Sequence, residues 1–247
     1  RAQAETELRH AYRSKADFMA ATSHDLLQPI NAARLFAGTL RQQHAAPSTA
    51  ATWDQLETAL SRTEQMIAEL REMARLDAGK QTIAVAPVSV ATVFEAIEAE
   101  FAAMAAEKGL ALRVMKTTAW VHADAAVLQR LLANLVANAI KYTNHGRVLV
   151  GVRQLGTALR VQVCDTGPGI RTEDQARIFR EFERLDRGSG PAADGLGLGL
   201  SLVNRYAELL GTEVALHSVP ERGSVFSVIL PKSQPASSVV VSDSTIS

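Results

Sequence analysis

Two consecutive segments near the N-terminus carry small or apolar residues at spacings of three and four, which is the period of a helix. In the first segment, most of the steps between these residues follow that spacing: Leu8, Tyr12, Met19, Thr22, Leu26, Ile30, Ala33, Ala37 and Leu40. In the second segment every step does: Trp53, Leu56, Leu60, Thr63, Ile67, Leu70 and Ala74. A loop-like stretch, HAAPST, separates them, and Ala78-Gly79 is typical of a helix end. The pattern predicts a helical hairpin. Because one hairpin buries only a single seam, we expect two copies to form a four-helix bundle.

After Lys80 the sequence alternates between strand-like and helix-like runs. Helices are predicted over 90–108, 125–142, 172–182 and 198–210, with Asp124 as the N-cap of the second. Strands are predicted near 82–90, 110–116, 148–154, 158–164, 213–218 and 224–230. This mixture predicts an α+β domain with its helices on one face of the sheet. We therefore expect a helical domain over 1–80, an α+β domain over 81–232 and a serine-rich flexible tail or linker over 233–247.

The composition excludes some function classes. The 26 Lys and Arg residues balance the 26 Asp and Glu residues, so no overall basic field indicates nucleic acid. No uninterrupted apolar run reaches the roughly 18 residues of a membrane span, so we expect no membrane contact by this segment. The single cysteine, Cys164, lies in the apolar run LRVQVC and is interpreted as a core residue in a reducing compartment. We expect a cytoplasmic location, either alone or as part of a larger or membrane-anchored protein.

A histidine and a proline lie close together in the first predicted helix. His24 falls two residues after the inward Thr22, on the outer face, and Gln28 shares that face. Pro29 cannot donate a hydrogen bond to the carbonyl of Asp25, which costs about 3 kcal/mol within a helix. A neutral imidazole on such a bent, exposed turn can act as a nucleophile, with Asp25 receiving a proton and Gln28 positioning a water. The alternative is an ordinary surface histidine.

Three polar residues share one face of the helix predicted over 125–142. They are Asn134, Asn138 and Lys141, spaced by four and three. Asparagine is a poor helix former, so two of them within a helix need a reason. One reason is a solvated face. The other is chemical: an amide oxygen can complete the ligand shell of Mg²⁺, and the lysine can add positive charge for phosphates.

An aspartate follows directly on the strand predicted over 158–164. Asp165 opens the stretch DTGPGI, where its carboxylate can accept a hydrogen bond from a ligand amino group such as adenine N6. Gly167 and Gly169 allow the tight backbone that lets a flat ring approach. An ordinary turn is the alternative interpretation.

A glycine-rich stretch precedes the last predicted helix. Gly195, Gly197 and Gly199 would leave free N–H groups at the helix start, where the helix dipole favours phosphate. The stretch is not a P-loop, because no Gly-Lys-Ser/Thr follows at the required spacing. The segment 183–194, rich in Gly, Ala and charge, is predicted to be a mobile lid.

These motifs occur in the order His-Asp-x-x-Gln-Pro, Asn-x-x-x-Asn-Ala-x-Lys-Tyr-Thr, Asp-Thr-Gly-Pro-Gly, the pair Phe179 and Phe182, and Gly-Leu-Gly-Leu-Gly-Leu. In that order and spacing, the chain resembles the sensor histidine kinases of two-component signalling from about residue 5 to 232. The resemblance implies a dimerisation and phosphoacceptor hairpin joined to a Bergerat-type ATP-binding domain that works as a homodimer. It also implies ATP and Mg²⁺ as cofactors, and the receiver domain of a response regulator, separate or C-terminally fused, as partner.

The resemblance implies a role for each motif residue. His24 is similar to the autophosphorylated histidine, and Asp25 to its acidic neighbour, usually Glu, that acts as base. The nucleotide-binding roles fall on residues of the α+β domain: Asn138 as Mg²⁺ ligand, Asn134 and Lys141 at the phosphates, Tyr142 near the ring, Asp165 on adenine, and Gly223 and Ser224 as the late Gly-Thr element.

The motif that contains His24 departs from the family pattern at two positions. The chain has Leu27-Gln28-Pro29 where Arg-Thr-Pro or Arg-Asn-Pro is common. Gln28 can orient a water, so the sequence leaves dephosphorylation of a partner open. Two rival functions also stay open: a non-catalytic signalling module that binds ATP or only scaffolds, and a different ATPase with the same nucleotide fold, such as a chaperone or mismatch-repair relative.

Overall fold

The structure is a computed structural model that describes residues 30, 33–35, 37–38, 47–79, 81–181, 183 and 197–235. The chain divides into two compact units. The first contains Arg1–Thr82 and Thr172–Arg205, and the second contains Ile83–Arg171 and Tyr206–Ser247. Within the described ranges, no helix combines the length and the apolar character needed to cross a bilayer.

The first unit contains the long helix α1, Pro47–Asp77. Proline suits a first helical position because its N–H would be unpaired there in any case. The predicted loop HAAPST is therefore wrong in its second half, since Pro47 already belongs to the helix. Gly79 ends α1 with a φ of 61° and donates its N–H to the carbonyl of Leu76, as predicted.

Part of the first predicted helix is also described. Residues 30, 33–35 and 37–38 are helical. Arg34 forms an ion pair of 2.8 Å with Glu64 of α1, so the two helical segments contact each other across 30 residues of chain. Ile67 and Ala74 of the predicted inward face are buried, whereas Leu56 is 41% exposed. His24, Asp25 and Gln28 lie outside the described residues.

The second unit contains a seven-stranded sheet. Its strands are β1 Ala86–Ser89, β2 Ala111–Val114, β3 Trp120–Ala123, β4 Arg147–Leu155, β5 Ala158–Asp165, β6 Val214–Val219 and β7 Gly223–Ser233. The order is β1-β3-β7-β5-β4-β2, with β6 also paired to β7. The pairing of β2 with β4 is parallel and the others are antiparallel. The sequence pattern missed β3, which has only four residues.

Two helices of the second unit pack on each other and on the sheet: α2, Val90–Glu107, and α3, Ala125–Tyr142. The predicted bounds of α3 are confirmed, and Asp124 is its N-cap, accepting a hydrogen bond of 3.0 Å from the N–H of Val127. The apolar face of α3 is buried: Val127, Leu128, Leu131, Leu132, Leu135, Val136, Ala139 and Ile140. Burying this face directs the opposite, polar face of α3 away from the core.

The helix predicted over 172–182 is wrong. The structure has a single turn of 3₁₀ helix, Thr172–Asp174, followed by turns. The backbone N–H groups of Gln175, Arg177 and Arg180 each donate to the carbonyl three residues back. The N–H of Ile178 donates to the carbonyl of Asp174, four residues back, but this one bond does not make a continuous α-helix. The last helix, α4, spans Gly199–Leu209, close to its prediction.

Candidate functional site

Asp165 lies at the end of a buried strand. Leu159, Val161 and Val163 alternate along β5 and are buried on one face of the sheet, and Asp165 continues that row. Its Oδ1 accepts hydrogen bonds from the N–H of Gly167 at 2.8 Å and from the N–H of Ser224 at 3.2 Å. The sheet register therefore brings two of the predicted site residues to the carboxylate.

Burial determines the electrostatics of this carboxylate. Removal from water raises the pKa of Asp165 above the usual range of an aspartate, and the hydrogen bonds from Gly167 and Ser224 oppose the rise. Both of these bonds are made by Oδ1, and the described residues supply none to Oδ2. Oδ2 is therefore the acceptor that remains for a ligand amino group.

Glycine is required at two positions beside Asp165 because the chain comes very close there. A Cβ on Gly167 would lie 2.9 Å from Asp165 Oδ1 and 3.2 Å from Thr143 Oγ1. Gly223 has a φ of 92°, and a Cβ there would collide with the carbonyl of Asp165. Gly169 has a φ of 63° beside the carbonyl of Val219. These glycines let the loop after β5 and the turn between β6 and β7 meet.

Ser218 joins the same two segments, and the sequence pattern did not single it out. Its Oγ accepts a hydrogen bond of 2.8 Å from the N–H of Ile170. It lies 3.0 Å from the carbonyl oxygen of Gly223, to which it donates, and 2.9 Å from Ser224 Oγ. The hydroxyl of Ser224, which replaces the threonine of the family pattern, is thus held inside the protein. Asp165, Ser218, Gly223 and Ser224 form a connected group that we call the base corner.

The polar face of α3 is arranged differently. Asn134 donates one N–H of its side-chain amide to the carbonyl of Arg130 at 2.9 Å. Asn138 has a buried Nδ2 that finds no hydrogen-bond partner among the described residues. The ammonium of Lys141 lies 5.4 Å from the ring centroid of Tyr142, and that ring is 50% exposed. These predicted site residues share one helix face, and Asn138 has an unused donor.

The C-terminal end of α3 is held by a second residue that the sequence pattern missed. Lys108, the C-cap of α2, donates from Nζ to the carbonyls of Ile140 and Lys141, each at 2.6 Å. Two of the carbonyls that a helix end leaves unpaired are thereby satisfied, and the positive charge favours this end of the helix dipole. Burial lowers the pKa of Lys108. Lysine caps of this kind join distant segments and have no local spacing that would predict them.

Some predicted site residues lie elsewhere. Gly197 and Gly199 are in the first unit, Gly197 with a φ of 76° and Gly199 as the first residue of α4. Gly195, Phe182 and the predicted lid except Glu183 are outside the described residues.

A groove of about 470 Å³ lies at the ends of the strands away from Asp165, lined partly by Trp120, Leu159 and Lys232. It is about 20 Å along β5 from Asp165 and contains no predicted site residue.

The donor set fits Mg²⁺ only together with phosphates. Among the described residues, no group of three His, Cys, Asp or Glu side chains could hold a metal ion. The side-chain amide of Asn138 has a neutral oxygen and an N–H that finds no partner among the described residues. The oxygen suits a cation that keeps water and phosphate oxygens as its other ligands.

Two family models match the chain in this order. Residues 14–79 match the His Kinase A (phospho-acceptor) domain. Residues 123–234 match the family of histidine kinase-, DNA gyrase B- and HSP90-like ATPases. The second match spans α3, the base corner and the polar residues described above.

Curated relatives align over nearly the whole chain. An uncharacterised sensor-like histidine kinase of Rhizobium meliloti is 31% identical over 94% of the chain and 46% of its own length. The signal transduction histidine-protein kinase BarA of Escherichia coli is 30% identical over 90% of the chain and 25% of its own length. The virulence sensor protein BvgS of Bordetella bronchiseptica is 35% identical over 89% of the chain and 18% of its own length. The chain therefore spans less than half the length of these relatives.

Solved structures agree with the fold. The structure of full-length ShkA in complex with AMPPNP superposes with a TM-score of 0.74 at 26% identity, over 89% of this chain and 46% of that one. The histidine kinase AdeS of Acinetobacter baumannii gives a TM-score of 0.60 at 19% identity, over 87% and 97%, which supports the fold alone. The predicted α+β architecture is confirmed. With both family models matched in the family's order, the chain belongs to the sensor histidine kinases.

Proposed function

We propose that this chain is the kinase core that binds ATP with Mg²⁺ and transfers the γ-phosphoryl group to His24. The observation that carries the proposal is that one unit contains both the half-buried carboxylate of Asp165 and the unpaired donor of Asn138 on α3. The phosphoacceptor family model supports the choice of His24, because its match includes that residue.

The base corner would hold the adenine. Oδ1 of Asp165 is occupied by two backbone N–H groups, so its Oδ2 accepts from the N6 amino group. An ionised carboxylate accepts a stronger hydrogen bond than a neutral oxygen does. The exposed ring of Tyr142 gives the base an apolar surface close to Lys141.

The polar face of α3 would hold the phosphates. The unpaired N–H of Asn138 donates to a phosphate oxygen, and its Oδ1 is a ligand for the metal. Asn134 and Lys141 lie on the same face and support the triphosphate, the lysine through its positive charge. Gly195, Gly197 and Gly199 supply backbone N–H groups to the phosphates. When bound, Mg²⁺ neutralises charge on the β- and γ-phosphates.

Transfer is then an in-line displacement at phosphorus. A ring nitrogen of His24 forms the new N–P bond, the bond from the γ-phosphorus to the bridging oxygen breaks, and ADP leaves with that oxygen. The imidazolium that forms loses the proton of its other nitrogen to Asp25. Positioning and charge neutralisation supply most of the acceleration, because the protein makes no further covalent bond.

The phosphohistidine would pass its group to an aspartate of a response-regulator receiver domain, separate or fused. We expect the chain to act as a homodimer through its helical hairpin and to work in the cytoplasm, where ATP and Mg²⁺ are available. Gln28 can orient a water that hydrolyses the aspartyl phosphate of the receiver and releases inorganic phosphate. The domains proposed are 1–80 for dimerisation and phosphotransfer, 81–232 for ATP binding and 233–247 as a tail.

The test is incubation with γ-labelled ATP and Mg²⁺, followed by mapping of the labelled residue. We expect an acid-labile label that is absent from the His24→Gln variant, although this variant still binds ATP. His10→Gln, in the same predicted helix, is the matched control and should label like the unsubstituted chain.

Each rival function gives a different result in that experiment. A non-catalytic module would bind ATP without acquiring label in any variant. A chaperone-like or repair-like ATPase would release inorganic phosphate from ATP at the same rate with and without His24. Acid-labile label that persists in His24→Gln would remove His24 from its role.

A further inference from the structure

The sheet of the second unit has an outer face, opposite to the face that contains the row ending in Asp165. Along β5, Arg160, Gln162 and Cys164 alternate with the buried residues of that row, so their side chains point to the outer face. Ile229 of β7, the register partner of Arg160, is 43% exposed. The outer face is therefore open to solvent there, and it is separate from the proposed nucleotide site.

Four arginines lie on neighbouring strands of this outer face. Arg147 and Arg153 belong to the exposed side of the alternation in β4. Arg113 of β2 is the register partner of Leu149, which is on the same side of β4 as Arg147. We call the set the arginine surface: Arg113, Arg147, Arg153 and Arg160. None of the four guanidinium groups forms a hydrogen bond or an ion pair with another residue that the structure describes.

Two of these arginines are direct neighbours across strands. Arg153 and Arg160 are register partners in the pairing of β4 with β5. Like charges in that arrangement destabilise a sheet. The Nε of Arg160 is also buried and has no partner among the described residues, which adds the cost of an unsatisfied donor. Glu213 extends the outward row of β6, but Ile229 separates it from Arg160 in the sheet order.

The composition of the outer face favours a protein partner. Met115, which follows β2, is 52% exposed and packs over Gly151, whose added Cβ would lie 3.3 Å from the Met115 Cγ. Along β2, β4, β5 and β7, the described outward-facing residues include no lysine, phenylalanine, tyrosine or tryptophan. Arginine and methionine are enriched at protein interfaces, and lysine is depleted there. Single-stranded nucleic acids and lipid surfaces are usually bound with aromatic side chains beside the basic ones.

We propose that the arginine surface is a docking site for a partner protein that presents carboxylates. A guanidinium group matches a carboxylate in shape and can donate two parallel hydrogen bonds to it. A carboxylate placed between Arg153 and Arg160 would offset their repulsion and accept from the unpaired Nε. The exposed side chains of Met115 and Ile229 would supply apolar contacts beside the ion pairs.

The binding experiment uses the whole chain with poly-L-glutamate as the carboxylate probe, at low ionic strength. We expect Arg153→Gln and Arg160→Gln each to lower the affinity about tenfold, because each removes a charge-assisted hydrogen-bonding group. Arg222→Gln is the matched control. It removes one exposed arginine in the turn before β7, about 20 Å along that strand from Ile229, and the affinity should not change.

The stability of the free chain gives a second readout. Without a partner, Arg153→Gln should raise the melting temperature by about 1–2 °C, because it removes the repulsion from Arg160. Arg153→Glu should raise it further, since the new carboxylate can pair with Arg160, and it should abolish binding of the probe. A residue that only supports the fold would lose stability on substitution, so opposite changes in affinity and stability identify a docking residue.

Three results would overturn the proposal. One is unchanged affinity for poly-L-glutamate in the variant that combines Arg153→Gln with Arg160→Gln. Another is a lower melting temperature, or failure to fold, in Arg153→Gln. The third is tighter binding of a single-stranded oligonucleotide or of phosphatidylglycerol vesicles than of poly-L-glutamate, if the double variant loses it, because the surface would then serve a nucleic acid or a membrane. ATP binding and labelling of His24 are measured separately, so failure of the proposed function leaves this test intact.

Discussion

The base corner and the polar face of α3 belong to the same unit but differ in how their polar groups are satisfied. In the base corner, Asp165 Oδ1 and Ser218 Oγ each have two or more partners. On and just after α3, Asn138 Nδ2 and Thr143 Oγ1 are buried and have none among the described residues. The base corner is therefore organised by the protein alone, whereas the α3 side has donors that a ligand would complete.

This difference has an energetic meaning. Satisfied buried polar groups stabilise the fold, and unsatisfied ones reduce its stability. Substitutions that break the hydrogen bonds or the packing of the base corner should therefore affect both folding and binding. Substitution of the unpaired Asn138 on α3 should weaken binding without loss of stability. The following experiments test this contrast.

The largest effect is expected for Gly223→Ala. The new Cβ would collide with the carbonyl of Asp165, and the backbone would stay in a left-handed conformation at a φ of 92°. We expect a loss of about 3–4 kcal/mol in the free energy of unfolding, measured by urea denaturation. The matched control is Gly156→Ala, where φ is 57° but nothing lies within 4 Å of the new Cβ, and it should lose about 1 kcal/mol. Equal losses for the two variants would show that the base corner is not closely packed.

The next largest effect is expected for Asp165→Asn. Asparagine keeps the shape of the side chain and one acceptor oxygen, but it presents an amino group to the N6 amino group of adenine. We expect ATP affinity to fall about 100-fold by calorimetry, because a charge-assisted hydrogen bond is replaced by a repulsive contact. The melting temperature without nucleotide should not fall, since asparagine keeps the two backbone bonds and avoids the cost of burying a charge. GTP should lose less affinity than ATP, because its O6 accepts from the new amino group. ATP affinity equal to that of the unsubstituted chain would contradict the assignment of Asp165.

A smaller and more selective effect is expected for Asn138→Ala. Affinity for ATP with Mg²⁺ should fall about tenfold, because a ligand of the metal and a donor to phosphate are lost together. Affinity for adenosine should stay the same, and stability should not fall, since the removed N–H was unpaired. Gln129→Ala on the same helix is the control and should change neither affinity. A parallel loss of adenosine and ATP binding would mean that Asn138 does not act at the phosphates.

The smallest effect is the pH dependence. The folded-state pKa of Asp165 is raised above its unfolded value, so its protonation favours the folded chain as pH falls through that raised pKa. Nucleotide binding needs the ionised carboxylate, so ATP affinity should fall in the same window, by up to about tenfold per pH unit. Titration calorimetry between neutral and mildly acidic pH would measure this. Asp165→Asn should lack the dependence, and an unchanged slope in that variant would assign the titration to another group.

The helix α3 and the base corner also show which features the sequence could predict. The bounds of α3 were predicted because Asp124 and the apolar spacing act within a few residues of each other. Asp165 was predicted because it directly follows an alternating strand. Both predictions depend only on residues that are close together in the chain, so contacts formed between distant residues do not change them.

The rest depends on contacts between distant residues. Ser218 bonds to Ile170, which is 48 residues away, and Lys108 caps α3 from 32 and 33 residues away. The sequence pattern also missed the four-residue strand β3, which lies in the sheet between β1 and β7. A helix was predicted over 172–182, but most of the turns there close over three residues. Whether Thr143 has a partner also depends on packing, because the helix spacing alone cannot show that its hydroxyl is buried.

The most direct test is a high-resolution structure of the chain with Mg²⁺ and a non-hydrolysable ATP analogue. We expect that N6 of the base donates to Asp165, that Asn138 contacts the metal and a phosphate oxygen, and that the base corner keeps its nucleotide-free hydrogen bonds. A nucleotide bound away from Asp165, or an Asn138 side chain still without a partner, would contradict it.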